Sequence, residues 1–289
     1  LTDRFRDIKR ILIVVLFFNW LVAFAKLLYG LVTRSASMTA DGAHSFGDGA
    51  SNIIGLVGIM AASKPVDEDH PYGHKKYETI ATLGIAATLF FAAFHVIRDA
   101  FDRLFNPISP DVTVFSFAIM AVTMFVNIMV MRYEHRKGMD LSSDILVCDS
   151  MHTKTDVFAT IAVIASLVAV KFGFVMLDAL VAGVISVIIA RAAFRILKQS
   201  FDVLSDAVAV DTSQIASVVK GIEGVKSIHK IRTRGRKDDV HVDLHVAVDS
   251  KMRVDAAHHL SHTIDAVLKE KIQGVTDVIV HVEPFKKLS

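Results

Sequence analysis

The chain has 289 residues, 53% of them hydrophobic, and 32 basic against 30 acidic side chains for a formal net charge of +2. A water-soluble chain of this length buries one large core or two small ones and does not carry repeated apolar runs of membrane length. The near-balanced charge gives no reason to expect a nucleic-acid partner, and a single cysteine, Cys148, excludes an intrachain disulfide and a thiolate zinc cluster.

A spanning helix needs about 20 mostly apolar residues, and six stretches qualify: 11–33, 38–62, 78–98, 112–131, 145–170 and 174–195. The first is read as a retained helix, because it is long and lacks a small-residue cleavage pattern. The second and fifth are the least apolar, because each carries a polar repeat. Basic residues collect on one side of this alternation. Arg4, Arg6, Lys9 and Arg10 precede the first span, Lys64, Lys75 and Lys76 follow the second, Arg132, Arg136 and Lys137 follow the fourth, and Arg191, Arg195 and Lys198 close the sixth. The opposite loops hold Arg34, Arg98, Arg103 and Lys171. The positive-inside rule then predicts cytoplasmic termini in a multi-pass protein of the cell (inner) membrane, with the lipid bilayer as its surroundings.

After about residue 205 charged residues become frequent. The expected division is a six-helix transmembrane domain over 1–205 and a cytoplasmic domain over 206–289. In the tail, 211–221 has helical spacing. VKSIHKIRTRGRKDDVHVDLHVAV reads as two strands around a turn at Gly235 to Asp239. In the second strand Val240, Val242, Leu244 and Val246 alternate with His241, Asp243 and His245. Residues 254–271 return to helical period, and VTDVIVHVEP closes as a strand. The order α-β-β-α-β predicts an α+β, ferredoxin-like layer of helices on one sheet face.

The chemistry sits in the polar repeats. DGAHSFGD (41–48) and DSMHTKTD (149–156) both read Asp-x-x-His-x-x-x-Asp inside predicted spans. Positions i, i+3 and i+7 share a helix face, so Asp41, His44 and Asp48 line one stripe and Asp149, His152 and Asp156 another. An aspartate at the bilayer centre costs roughly 2.5–3.5 kcal/mol, so these stripes face each other, a water-filled cavity or a cation. Two imidazole nitrogens and two carboxylates from His44, Asp48, His152 and Asp156 suit a tetrahedral divalent ion, zinc first. Both ligand types titrate, so protons compete with the metal. Asp41 and Asp149 fit direct ligation, helix capping or support of a ligand equally well. Lys154 is expected to point away from a cation.

At these residues the chain resembles the cation diffusion facilitator family of metal/proton antiporters, over essentially its whole length. SASMTADGAHSFGDGASN is similar to the family's second span and DSMHTKTD to its fifth. The resemblance implies six spans followed by a cytoplasmic α-β-β-α-β domain, a homodimer, and a transport site at His44, Asp48, His152 and Asp156. It also implies Zn2+ as cargo and as a bound structural or regulatory ion, with protons as counter-ion. Ferrous iron, cadmium, cobalt and manganese remain alternative cargoes. A loop site is implied at Asp67, His70 and His74, and a tail site at His229, His245, His258, His281 and Glu283, where the family often has aspartate in place of Glu283. The resemblance further nominates Lys76 and Asp206 as a charge interlock. His241, His259 and His262 match no family ligand position and are read as surface histidines.

An enzyme is not expected, nor a small organic substrate. An intramembrane metallohydrolase needs an open metal position and a base, as in His-Glu-x-x-His, and that motif is absent from the sequence. A membrane-bound metal sensor or scaffold would not require two polar stripes.

Overall fold

The computed structural model describes residues 2–32, 36–105, 114–171 and 175–285, with some helical positions, 36–44, 47, 48 and 162–171 among them, described by backbone alone. Six long helices come first: α1 (Thr2–Val32), α2 (Ala36–Ala62), α3 (Lys76–Phe105), α4 (Val114–Asp140), α5 (Asp144–Lys171) and α6 (Val175–Leu204). Among the described residues, each of the six apolar stretches of the sequence falls within one of these helices. Among the described residues, Asp3–Tyr29 and Lys76–His95 are long and apolar enough to cross a membrane, and Ser51–Ala62 is a shorter apolar helix. Then follow α7 (Thr212–Lys220), β1 (Ser227–Arg236), β2 (Asp239–Val248), α8 (Val254–Lys271) and β3 (Val275–Pro284). The chain divides into two compact units, Leu1–Ser200 and Phe201–Ser289.

The helical unit is held by apolar interdigitation on one side and leaves apolar surface on the other. Ile8, Leu12 and Val15 of α1 pack with Ile59 of α2, Ile85 of α3, and Ile145 and Leu146 of α5. Phe17, Phe24, Phe91, Phe94, Phe125 and Phe194 are instead exposed. A surface carrying so many large aromatic side chains is the kind that a bilayer or another protein covers. Close helix approach depends on glycine: a Cβ at Gly55 would stand 3.0 Å from Cγ2 of Ile145. Trp20 of α1 stacks on Phe46 of α2, with centroids 5.2 Å apart and rings nearly parallel.

One end of this unit is closed by a buried ion pair. Glu78, in the first turn of α3, is fully buried and meets Arg4 of α1 at 3.1 Å. Ser143 Oγ donates to Glu78 at 2.8 Å, while Arg4 also donates to the carbonyls of Leu141 and Ser142. Three chain segments are thereby tied to one carboxylate.

The second unit is a three-stranded sheet in the order β1-β2-β3, with β1 and β2 antiparallel and β2 and β3 parallel. The alternation of β2 puts Val240, Val242, Leu244 and Val246 on the face covered by α7 and α8, where they meet Ile215, Val219, Leu260, Ile264 and Leu268. The opposite face carries His241, Asp243 and His245. Asp211 caps α7 by accepting from Ser213 N at 2.9 Å. The β1–β2 turn is shorter than the spacing predicts, Lys237 and Asp238 alone, and Gly235 is still paired with Val240; its φ of +109° is open to glycine and strained for a residue with a Cβ. Thr233 Oγ1 accepts from the amides of Ala209 and Val210, fastening the segment before α7 to the sheet.

Candidate metal centres

The two sequence repeats lie in α2 and α5, which pack against each other. The side chains of Asp41, His44 and Asp48 lie outside the described residues; those of the α5 repeat are described. His152 is buried and Asp156 half-buried. Lys154 turns aside, its ammonium 5.5 Å from the centroid of the Phe158 ring. Asp149 is fully buried and spends both carboxylate oxygens on α2: Ser51 Oγ donates to one at 2.6 Å and Asn52 Nδ2 to the other. Asn19 of α1 donates to Asn52 at 2.9 Å, so the tie extends across three helices.

Those contacts fix the register of α2 on α5. Gly55 lies opposite Ile145 and Ser51 opposite Asp149. Four residues back along α2 correspond to four residues forward along α5, so the helices run antiparallel. Continued at 1.5 Å per residue, the same register sets the backbone of residue 48 level with 152, and 44 level with 156.

The sequence reading passed over several residues here. Lys26 of α1 is buried and donates to Ser45, the neighbour of His44, at 3.1 Å. Glu134 of α4 is fully buried beside Asp149. Asn19 and Lys26 are polar interruptions of the first apolar run, and that interruption was their available signal. Glu134 sits among Arg132, His135 and Arg136 and looks like loop charge.

The loop between α2 and α3 brings its three predicted residues together. Ligand atoms of Asp67, His70 and His74 lie within 4.8 Å of one another. The His70 amide donates to Asp67 Oδ1 at 2.7 Å, with His70 Nδ1 3.2 Å from the same oxygen. His74 is buried: Nδ1 lies 3.0 Å from the Pro65 carbonyl and Nε2 3.3 Å from Asp67 Oδ2. A carbonyl can only accept, so Nδ1 carries hydrogen and the neutral ring turns its Nε2 lone pair toward a carboxylate. Two acceptors facing each other call for a cation between them, either a proton or a metal. The backbone hydrogen bond from His70 is the largest influence holding the Asp67 carboxyl below its ordinary range. The His70 side-chain bond and the charges of His74 and His70 assist against partial desolvation.

On the open face of the sheet, His229, His245 and His281 form a row across the strands, paired through β1–β2 and β2–β3 register. A bulge follows His229, with Lys230 at φ +50°; such bulges re-aim neighbouring side chains. Glu283, two residues beyond His281 on the same face, bridges the row: Oε1 is 3.0 Å from His229 Nε2 and Oε2 3.4 Å from His245 Nδ1. Ligand atoms of His229, His245 and Glu283 fall within 4.8 Å of one another, and the His281 ring lies 4.4 Å from that of His245. Desolvation pushes the Glu283 carboxyl up, but the His245 hydrogen bond and the charges of His229, His245 and His281 outweigh it and leave it below its ordinary range. His258 is not in this group; it lies on α8 with His262. His241 sits between Asp277 at 3.4 Å and Asp239 at 3.7 Å.

Sequence comparison decides the family. A cation efflux transmembrane domain matches residues 12–205, and a cation efflux protein cytoplasmic domain matches 208–285. The chain is a cation diffusion facilitator. This facilitator is 30% identical to the manganese efflux system protein MneS of Bacillus subtilis, over 91% of this chain and 90% of that one. It is 30% identical to the cation-efflux pump FieF of Shewanella oneidensis, over 90% and 88%. An uncharacterized transporter of Methanocaldococcus jannaschii is 29% identical over 96% of this chain and 99% of its own. Efflux of divalent metal cations across a membrane is accordingly the activity of this facilitator, and the sheet unit is its cytoplasmic domain.

Proposed function

We propose that this facilitator is a homodimeric zinc/proton antiporter with six membrane spans and cytoplasmic termini. Zinc enters from the cytoplasm and is held by His44, Asp48, His152 and Asp156. The observation that carries this reading is the antiparallel register of α2 on α5, which levels the two Asp-x-x-His-x-x-x-Asp repeats. Two imidazoles and two carboxylates match zinc in number and type. With Asp149 occupied by Ser51 and Asn52, its role here is to hold α5 against α2. Rocking of the helices then opens the site outward. Incoming protons taken up by histidine and aspartate release the metal. The loop and sheet clusters are cytosolic metal sites on this reading, and the sheet cluster joins or senses two protomers.

A second reading is manganese export, favoured by the name of the Bacillus relative; carboxylate-rich sites suit manganese, and the two imidazoles argue against it. The test is a panel of zinc, cadmium, manganese and ferrous iron on reconstituted vesicles with an internal pH dye. Zinc-driven proton movement that Asp48→Ala or Asp156→Ala abolishes is expected. Unchanged flux in both variants would remove the site assignment. A flux insensitive to an imposed pH gradient would replace the antiporter with a passive channel, and a manganese preference would replace the cargo.

A further inference from the structure

α4 brings a second buried carboxyl to the contact between α2 and α5. Glu134 is fully buried, and among the described residues no N–H or O–H group reaches either of its carboxyl oxygens. Within hydrogen-bonding reach stands the Asp149 carboxylate of α5. The helix contacts place the two groups together independently. A Cβ on Gly138 of α4 would stand 2.9 Å from the Val147 amide nitrogen, and His135 Nδ1 lies 3.3 Å from Ser150 Oγ. Three residues back along α4 thus correspond to three forward along α5. The helices run antiparallel, and residue 134 falls beside the turn that holds Asp149.

Hydrogen-bond accounting decides what lies between the two carboxyls. Asp149 accepts from Ser51 Oγ at 2.6 Å and from Asn52 Nδ2, whereas Glu134 accepts from none of the described residues. The neighbouring thiol of Cys148 gives its hydrogen to the Thr82 carbonyl instead. Two carboxyls side by side in a dry interior do not both ionise; they share one proton. Donors favour the ionised form of the group that receives them, so Asp149 is the anion and Glu134 carries the proton. A divalent ion in the same place needs further oxygen ligands, and Ser51 and Asn52 turn hydrogens toward Asp149, not lone pairs.

We propose that Glu134 is a positioning residue for cation transport: as a neutral carboxylic acid it donates its O–H to Asp149 and extends the α2–α5 tie to α4. Asp149 then accepts three hydrogen bonds, two from α2 and one from α4, and the α5 repeat is held from two sides. Glu134, Asp149, Ser51 and Asn52 are all buried within one chain, so the bond needs no second protomer. It is also independent of the cargo. Its service to zinc transport rests on the site assigned above to His44, Asp48, His152 and Asp156.

The test uses the full chain at neutral pH, in detergent for spectroscopy and in zinc-loaded vesicles for flux. Infrared absorption separates the C=O stretch of a carboxylic acid from the bands of an ionised carboxylate. The parent is expected to show the acid band, and Glu134→Gln to lose the share of one group. Glutamine keeps the shape and a donor, so Glu134→Gln is expected to fold and to hold zinc flux within about twofold of the parent. Glu134→Leu keeps the bulk without a donor; losing a hydrogen bond to a charged group, it is expected to lower zinc flux by about tenfold. Four results overturn the proposal: an acid band unchanged in Glu134→Gln, failure of that variant to fold, parent-like flux in Glu134→Leu, or one fewer zinc bound by Glu134→Gln in calorimetry. The last places a metal between the carboxyls. Unchanged zinc flux in Asp156→Ala removes the transport-site assignment instead and leaves the infrared result standing.

Discussion

Replacing Glu78 with alanine removes the anion at the centre of the closed end of the helical unit. The carboxylate is fully buried and faces Arg4, whose side chain is 15% exposed, through contacts of 3.1 to 3.3 Å; Ser143 donates to it at 2.8 Å. Breaking a buried ion pair by deleting one partner costs about 3–5 kcal/mol, because the other charge stays behind unpaired. Arg4 retains the carbonyls of Leu141 at 2.8 Å and Ser142 at 2.9 Å, so the loss should fall near the lower bound, about 3 kcal/mol. Deleting both charges behaves differently. Arg4→Met combined with Glu78→Leu leaves no unpaired ion and fills the space with apolar atoms, so it should return to within about 1 kcal/mol of the parent. The assay is reversible unfolding in mixed micelles, followed by tryptophan fluorescence from Trp20, as a double-mutant cycle. Single variants within about 1 kcal/mol of the parent would refute the tie, as would strictly additive losses in the double variant.

Further outcomes follow from the loop and sheet clusters. The Asp67 carboxyl, held low by the His70 amide, should keep its loop contacts at and above the ordinary carboxylate range and lose them as pH falls through its depressed value; the His70 amide shift, read by NMR, should titrate there and not higher. Glu283→Gln should weaken zinc binding at the sheet cluster in calorimetry, because it removes the charge that bridges His229 and His245. In the parent the same affinity should fall as pH drops and the histidines gain protons, by roughly tenfold per unit for each proton displaced; a flat profile would argue against histidine ligation.

How far the sequence could be read differs with the physics of each part. The tail elements were legible because the period-2 run of Val240, Val242, Leu244 and Val246 and the four-residue period of Leu260, Ile264 and Leu268 are local signals of burial. Asp67, His70 and His74 came with the resemblance, and their meeting is decided locally, because three ligand residues fall within one short loop. The row of His229, His245 and His281 is non-local: it depends on strand register, which residue spacing leaves open. Resemblance supplied that set together with His258, which lies on α8 beside His262 within its own chain. Arg4 with Glu78, and Asn19 with Asn52, were not legible. Each pair joins distant segments whose side chains look like ordinary loop charge or a stray polar residue in an apolar run.

The Asn19–Asn52–Asp149 tie also answers why the α5 repeat begins with an aspartate three residues before its histidine. A slip of one residue between two helices moves every side chain along by 1.5 Å and around by about 100°, enough to prevent donors on different helices from sharing one ion at bonds near 2 Å. Apolar packing fixes such a register less sharply, since apolar side chains of similar volume such as Ile and Leu exchange with small loss. A fully buried carboxylate with both oxygens bound to Ser51 and Asn52 does prevent it, because any other register leaves that group without its donors. In α5 the first residue of the repeat thus serves the other two by fixing α2 beside them. Exchange of Asp149 for asparagine keeps the shape but faces the Asn52 amide with a second amide. The expected result is weakened zinc flux with little change in the loop and sheet sites, and full flux in that variant would leave the register to be explained by glycine contacts such as Gly55 against Ile145 alone.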